Sequence, residues 1–380
     1  MIKFKTHFCL VSAQAAPNLL PLLDEAVKPE RVVFLVTEQM KKQADYLEQV
    51  IKPTGIVIQR VELTAIDDFE KIQEQLMALL EQEDAKHIAL NVTGGTKWMA
   101  IAAQEVFRMN GSAVFYVDLS QDKLLFLDST IPAHKLSQRI SLKNYIESYG
   151  YEFRKESQPV GLPKARKELC RELILNVESW QSAIGLLNKL AAKAEEQNTL
   201  QVDYAKETNL AHGFEQLLFE CEKAQLLTVK DRQLCFTDAQ ARSFANGGWL
   251  EYHVNSLLNE LKAEGVIQDS AHLNLEIHRQ GETSHNELDV CFMARNRLHI
   301  IECKTKRMSG KNSPQTTETI YKLDSISELG GLSSKAMLVS YRAIDKTADK
   351  QRAKDLRIKV IAANQLQTLK SALKQWIESP

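Results

Sequence analysis

From Thr6 to about Leu127, short apolar runs alternate with stretches of helical periodicity, the order that βαβ units produce around a parallel sheet. Five runs read as strands: Phe8–Val11, Val32–Val36, Ile56–Val61, His87–Val92 and Ala113–Val117. Helices are expected between them, near Leu19–Val27, Gln39–Ile51, Asp67–Gln82 and Trp98–Asn110, and Leu124–Leu127 is a candidate hairpin strand. Val32–Val36 and Ala113–Val117 are apolar almost throughout, as strands covered by helices on both faces must be.

After a polar stretch around Ser148–Pro163 the pattern lengthens to helices over Arg166–Trp180 and Gln181–Glu196. A helix over Phe214–Gln225, followed by strands Leu226–Val229 and Leu234–Thr237, fits equally a winged-helix module or a helical connector with one hairpin. From Gly247 the order is helix Trp249–Glu264, strands Leu275–Arg279, Leu288–Met293 and Leu298–Cys303, helix Glu318–Glu328 and strand Ala336–Ser340. That αβββαβ core is followed by a terminal αβα stretch. The chain is thus an α/β protein in three units: 1–147 Rossmann-like with a parallel sheet, 148–246 helical or winged-helix-like, and 247–380 carrying the αβββαβ core. A length of 380 residues suits this division, since one hydrophobic core rarely serves so long a chain.

Composition narrows the classes without choosing one. Hydrophobic residues at 44% and charged residues at 26% are ordinary globular values and argue against disorder or a membrane bundle. A formal net charge of −1 means that any hold on nucleic acid must come from local basic patches. Cys9, Cys170, Cys221, Cys235, Cys291 and Cys303 are scattered without CxxC spacing, which fits reduced thiols in a cytoplasmic protein better than a disulfide framework or a zinc site. The apolar run at Phe8–Val11 is too short for a signal peptide, and no membrane association is expected.

The sharpest chemical signal is Asn286-Glu287-Leu288-Asp289, followed 13 residues after Asp289 by Glu302-Cys303-Lys304. In an antiparallel pair turning at Arg295-Asn296-Arg297, Asp289 opens one strand and Glu302 lies near the end of its neighbour, so the two acids can meet. Strand side chains alternate, so Glu302 and Lys304 project to one side while Cys303 projects into the core. Two carboxylates and the Cys303 carbonyl supply hard oxygen ligands for Mg²⁺ or Mn²⁺. Lys304 then positions or deprotonates a water and offsets developing negative charge. Glu251, on the preceding helix, completes the acidic set, and like charges so gathered need a cation to neutralise them. A lone ExK would be an ordinary exposed strand face; two further acids shift the weight to a catalytic reading. Glu287 fits a substrate-side group or a solvated turn equally well. Lys306, Arg307 and Lys311, with Lys304, lie in a Ser/Gly/Asn-rich stretch ending near Thr317, suited to a basic loop gripping a phosphate backbone or to a solvated linker.

A second signal, Thr93-Gly94-Gly95-Thr96-Lys97, stands between an apolar strand and a helix, where glycines permit close approach and the helix N-terminus favours an anion. It is neither GxGxxG nor Walker A. In a sheet of order 3-2-1-4-5, loops after the first and fourth strands flank the switch point where ligands bind. Ser12, Gln14 and Asn18 after the first strand would face that crevice, with Thr37 at its edge.

The C-terminal residues are similar to the PD-(D/E)XK pattern of restriction-endonuclease-like nucleases, and nearly the whole chain resembles the CRISPR-associated Rossmann-fold (CARF) effectors that carry such a nuclease. Thr93 to Lys97 match the CARF ligand loop; Gly247-Gly248-Trp249-Leu250-Glu251, Asn286 to Asp289 and Glu302 to Lys304 match the nuclease. The resemblance implies a homodimer that binds a cyclic oligoadenylate, with cyclic tetra-adenylate as the expected activator, and then cuts single-stranded DNA or RNA in type III CRISPR antiviral defence. A ring of phosphates with two-fold symmetry is best matched by two copies of one crevice across a C₂ axis. Two other readings stand beside it: a ligand-responsive transcription regulator using the middle unit, and a ring nuclease that degrades the oligoadenylate at Thr93 to Lys97.

Overall fold

The apolar runs of the first unit become the central strands of a parallel sheet. The computed structural model describes residues 3–157, 161–205, 207, 210–306, 316–328, 331 and 334–379. Its first elements are β1 (Thr6–Leu10), α1 (Ala16–Leu23), β2 (Arg31–Val36), α2 (Lys41–Ile51), β3 (Val57–Glu62), α3 (Phe69–Leu80), β4 (Ile88–Asn91), α4 (Lys97–Met109), β5 (Ala113–Asp118), β6 (Lys123–Phe126) and β7 (His134–Lys135). The strands form a 7-stranded sheet of order β3-β2-β1-β4-β5-β6-β7. β1 pairs in parallel with both β2 and β4, so the order reverses beside β1 as expected. β6 joins β5 antiparallel, which makes Leu124–Leu127 the hairpin strand.

The polar stretch after Ser148 holds structure that its composition does not advertise. Helix α5 (Leu142–Ser148) leads into β8 (Tyr151–Ser157), which pairs antiparallel with β12 at the edge of the C-terminal sheet. The next elements are α6 (Lys164–Leu175), α7 (Gln181–Glu196), β9 (Gln201–Asp203), α8 (Phe214–Lys223), β10 (Leu227–Lys230), β11 (Gln233–Phe236) and α9 (Ala239–Ser243). The hairpin β10–β11 gains β9 as a third strand, order β10-β11-β9, a small sheet backed by helices. The outer face of α8 exposes Glu215, Gln216, Phe219, Glu222 and Lys223, a surface without the basic cluster that the phosphates of duplex DNA would call for.

The last unit comprises α10 (Trp249–Ala263), β12 (His272–Arg279), β13 (His285–Ala294), β14 (Arg297–Lys304), α11 (Thr316–Glu328), β15 (Lys335–Ser340), α12 (Thr347–Asp355), β16 (Lys359–Ala362) and α13 (Leu369–Glu378). Its 6-stranded sheet has the order β16-β15-β14-β13-β12-β8. Antiparallel β13–β14 meets parallel β14–β15 at the centre, and both faces are covered. On one face Val290, Phe292, Ile301 and Cys303 pack with Trp249, Leu250 and Val254 of α10. On the other, Cys291, Met293, Leu298 and Ile300 pack with Ile320, Leu323 and Ile326 of α11. That second core continues without a break into Phe34, Leu47, Tyr145 and Phe115 of the N-terminal unit, so the two large sheets share buried apolar contacts. No helix among the described residues is long and apolar enough to cross a membrane.

Candidate nuclease centre and sensing crevice

Register brings the acids together. Val290 pairs with Ile301 across the β13–β14 ladder, and the next residues outward on either strand are Asp289 and Glu302. Both are buried. Asp289 Oδ2 accepts the Cys303 backbone N–H at 2.8 Å, which ties its carboxylate to the end of β14. Lys304 Nζ stands 2.6 Å from Glu302 Oε1 and 3.7 Å from Asp289 Oδ2, and Lys322 Nζ from α11 reaches the same Glu302 oxygen at 3.3 Å. Cys303 turns the other way into the core, as strand alternation requires.

Glu251 arrives through the Gly247-Gly248 pair. Gly247 has φ +125°, and a Cβ there would overlap Thr305 Oγ1, so a glycine lets the start of α10 lie against the end of β14. Burial, then repulsion from Asp289, pushes the Glu251 carboxyl up to about 8, with the Asn274 side-chain hydrogen bond and the Lys304 charge working against the rise. Burial, then the Glu302 charge, pushes Asp289 up to about 6. For Lys304 burial disfavours the charge, yet Asp289 and Glu302 outweigh it and hold the ammonium above the usual lysine range. The two carboxylates thus favour the ammonium form, which suits an electrostatic and hydrogen-bonding role. Glu287 is exposed, close enough to raise Glu251 further.

Among the described residues no group of three or more His, Cys, Asp or Glu side chains is arranged to hold a metal ion as it stands. The donor chemistry nevertheless fits a hard divalent cation. It is all oxygen, and burial and mutual repulsion lift two of its carboxyls, which marks negative charge that two lysines only partly neutralise. Lys306 is exposed and lines a cavity with Gly185, Asn188 and Arg342, whereas Arg307 and Lys311 lie outside the described residues.

At the other sheet, loops after β1 and β4 meet. A Cβ on Gly94 would overlap the Leu10 carbonyl oxygen and lie 3.3 Å from Ser12 Oγ, and Gly95 has φ +73° against the Leu10 side chain, so both glycines answer to close approach. Thr96 caps α4, its hydroxyl accepting from Met99 N–H at 3.2 Å. Lys97 follows, exposed in the first turn. Gln14 N–H donates to Ser12 Oγ at 3.4 Å, shaping the turn after β1. Thr37 is mostly buried just beyond β2.

Two of the expected crevice residues are turned inward. Asn18 is fully buried and donates to Leu10 O at 3.1 Å, holding the loop from behind. The Thr93 hydroxyl donates to Asn91 Oδ1 and accepts from Val117 N–H, both at 2.7 Å. Asn91, not singled out from the sequence, organises the crevice: its Nδ2 donates to Pro17 O at 3.0 Å and Asn18 Oδ1 at 3.1 Å. A buried asparagine closing an apolar strand was a readable signal for it. Asn274 and Lys322 had none, because each reaches the centre only through tertiary packing.

Comparison with known proteins decides the family. Residues 6–145 match the family model described as the Card1 CARF domain, and residues 238–379 match the Card1-like endonuclease domain. Can2 from Sulfobacillus thermosulfidooxidans, solved in complex with cyclic tetra-adenylate, is 30% identical over 98% of this chain and 99% of its own, with a TM-score of 0.83. The chain belongs to the Card1-like CARF endonucleases. Protein VC1899 from Vibrio cholerae, at 27% identity and TM-score 0.89, covers 99% of this chain and 98% of its own. A type III CRISPR defence DNA nuclease activated by cyclic oligoadenylate shares the fold at 19% identity and TM-score 0.55, over 89% of this chain and 45% of that one. No curated protein matches the sequence. The C-terminal sheet of this Card1-like chain is therefore an endonuclease domain and its N-terminal sheet a CARF domain.

Proposed function

We propose that this Card1-like endonuclease binds a cyclic oligoadenylate, with cyclic tetra-adenylate as the expected ring, in the crevice between the Ser12–Gln14 turn and Thr93–Lys97, and that binding switches on cleavage of single-stranded DNA or RNA. The observation that carries the catalytic half is Lys304 seated between Asp289 and Glu302 at one end of the nuclease sheet, with Glu251 near enough to feel the charges of Asp289 and Lys304. The sensing half is supported by the glycine loop at the sheet's switch point and by the cyclic tetra-adenylate held by Can2.

Glu251, Asp289, Glu302 and the Cys303 carbonyl are the groups that would hold Mn²⁺ or Mg²⁺. When bound, such an ion polarises the scissile phosphate and acidifies a water. The chain's own residues do the rest. Asp289, fixed by the Cys303 N–H, holds its free lone pairs toward the centre. Lys304, charged at neutral pH, donates hydrogen bonds to the phosphate as negative charge builds on it. The Thr93 hydroxyl is committed to two protein partners, which favours a binding loop over a ring-cleaving one.

The active unit is a homodimer in this reading. Trp98 and Ile101, about half exposed at 50% and 51%, lie one turn apart on α4 directly after the crevice loop, an apolar face beside the ligand that a second copy would cover. The test is a cleavage assay on single- and double-stranded DNA and RNA with Mn²⁺ or Mg²⁺, with and without cyclic tetra-adenylate. Wild type cuts single strands only with both additions, and Glu302→Ala abolishes cutting while still binding the ring. Cutting that persists in Glu302→Ala overturns the catalytic assignment.

A further inference from the structure

The Glu302 carboxylate has one more cation than the family's acid–lysine signature requires. Its Oε1 receives Lys304 at 2.6 Å and Lys322 at 3.3 Å, and the side chain is 2% exposed. Lys322 belongs to α11, one turn before the buried Ile326, and Ile320, Leu323 and Ile326 fix that helix against the sheet, so the seating of α11 sets how near this ammonium stands to Glu302. While two ammonium groups hold that oxygen, a divalent ion must compete with both for it.

Beyond the other end of α11, contacts run to the CARF domain. Gly331 has φ +71°, and a Cβ there would lie 2.6 Å from Tyr149 Oη and 2.8 Å from Gln14 Oε1. Tyr149 Oη in turn accepts the Ala15 N–H at 3.4 Å, so Gly331 is seated on the turn that lines the crevice. Ser334 binds it back to the helix, since its hydroxyl donates to Ser327 O in the last turn of α11 and lies 3.0 Å from Gly331 O. A packed helix with a charged group near its middle and the crevice wall near its end is a physical connection between the two sites.

We infer that Lys322 is a positioning residue for Glu302, and that α11 carries the state of the crevice to the nuclease centre through Gly331. With the crevice empty, Lys322 holds Glu302 back from a metal ion. A ring pressing on the Ser12–Ala15 turn shifts Gly331 and α11, withdraws Lys322 and frees that oxygen. The inference rests on the proposed oligoadenylate activation. Linkage requires the effect to be reciprocal: the ring tightens metal binding and the metal tightens ring binding by one factor.

The test is calorimetric titration of Mn²⁺ into the full-length protein, with and without cyclic tetra-adenylate, for wild type, Lys322→Gln, Lys322→Arg and Gly331→Ala. Wild type binds Mn²⁺ about tenfold more tightly with the ring present. Lys322→Gln binds Mn²⁺ more tightly than wild type without the ring, and its ring effect falls below about threefold. Lys322→Arg restores the wild-type response, and Gly331→Ala, which forces the contact with Tyr149 and Gln14 apart, loses it. A Lys322→Gln protein that keeps the whole ring effect overturns the inference while leaving the functional reading intact. A wild-type protein whose Mn²⁺ affinity ignores the ring overturns the inference, and one that binds neither ring nor Mn²⁺ overturns the functional reading as well.

Discussion

Replacing Glu251 by Gln isolates the electrostatic strain of the centre. Glutamine keeps the size of the side chain and an oxygen for the Asn274 hydrogen bond but carries no charge. Burial and the Asp289 charge raise the Glu251 carboxyl from 4.5 to about 8 in the folded protein. A carboxyl whose pKa is higher folded than unfolded contributes fully below the unfolded value of 4.5, and that contribution is lost as pH rises through about 8. An interval of that width corresponds to roughly 5 kcal/mol, and relaxation of the site and water entry bring the expected difference to about 2–4 kcal/mol. Glu251→Gln should therefore match wild type near pH 4.5 and exceed it increasingly toward pH 8, in metal-free buffer. Scanning calorimetry of both proteins at several pH values reads this as a gap in Tm that widens with pH, a few degrees per kcal/mol. Adding Mn²⁺ at pH 8 should stabilise wild type far more than the variant. A gap that stays constant with pH, or that favours wild type at pH 8 without metal, refutes the argument.

Gly94→Ala places a methyl group on the Leu10 carbonyl; we expect a loss of about 1–3 kcal/mol in stability and weaker cyclic tetra-adenylate binding, measured by calorimetry, with Mn²⁺ affinity in the absence of ring unchanged. Ile101→Asp puts a charge on the exposed apolar face of α4. Sedimentation should show the dimer shifted toward monomer, together with loss of ring-dependent cutting, whereas an unchanged dimer would remove α4 from the interface.

The fold was legible where local pattern and tertiary environment agree. β2 and β5 are apolar runs because helices cover both of their faces, and the crevice loop announced itself through Gly94 and Gly95, positions where backbone approach excludes a side chain. The Glu302-Cys303-Lys304 alternation stood out because a buried strand has little reason to end in charges unless they do chemistry. What escaped was set by tertiary contact. β8 carries Glu152, Arg154, Lys155 and Glu156 beside only two aromatic residues, Tyr151 and Phe153, at a sheet edge, a composition shared with polar linkers, and β9 spans three residues, too few for a period to show. Asn18 looked like a ligand-facing polar residue, yet the loop curls over it and spends its amide on Leu10 and Asn91. Asn274, at φ +48° where the β12 register shifts, reaches Glu251 through a strand irregularity that no sequence period encodes.

Diffraction from crystals grown with cyclic tetra-adenylate and soaked in Mn²⁺, recorded at a wavelength where manganese scatters anomalously, bears most directly on the metal centre. An anomalous peak is expected within coordination distance of Asp289, Glu302 and the Cys303 carbonyl, with Glu251 turned toward it and Lys304 and Lys322 both withdrawn from Glu302. A protein that cuts in the same buffer while manganese binds elsewhere, with Lys304 still seated on Glu302, would contradict that expectation.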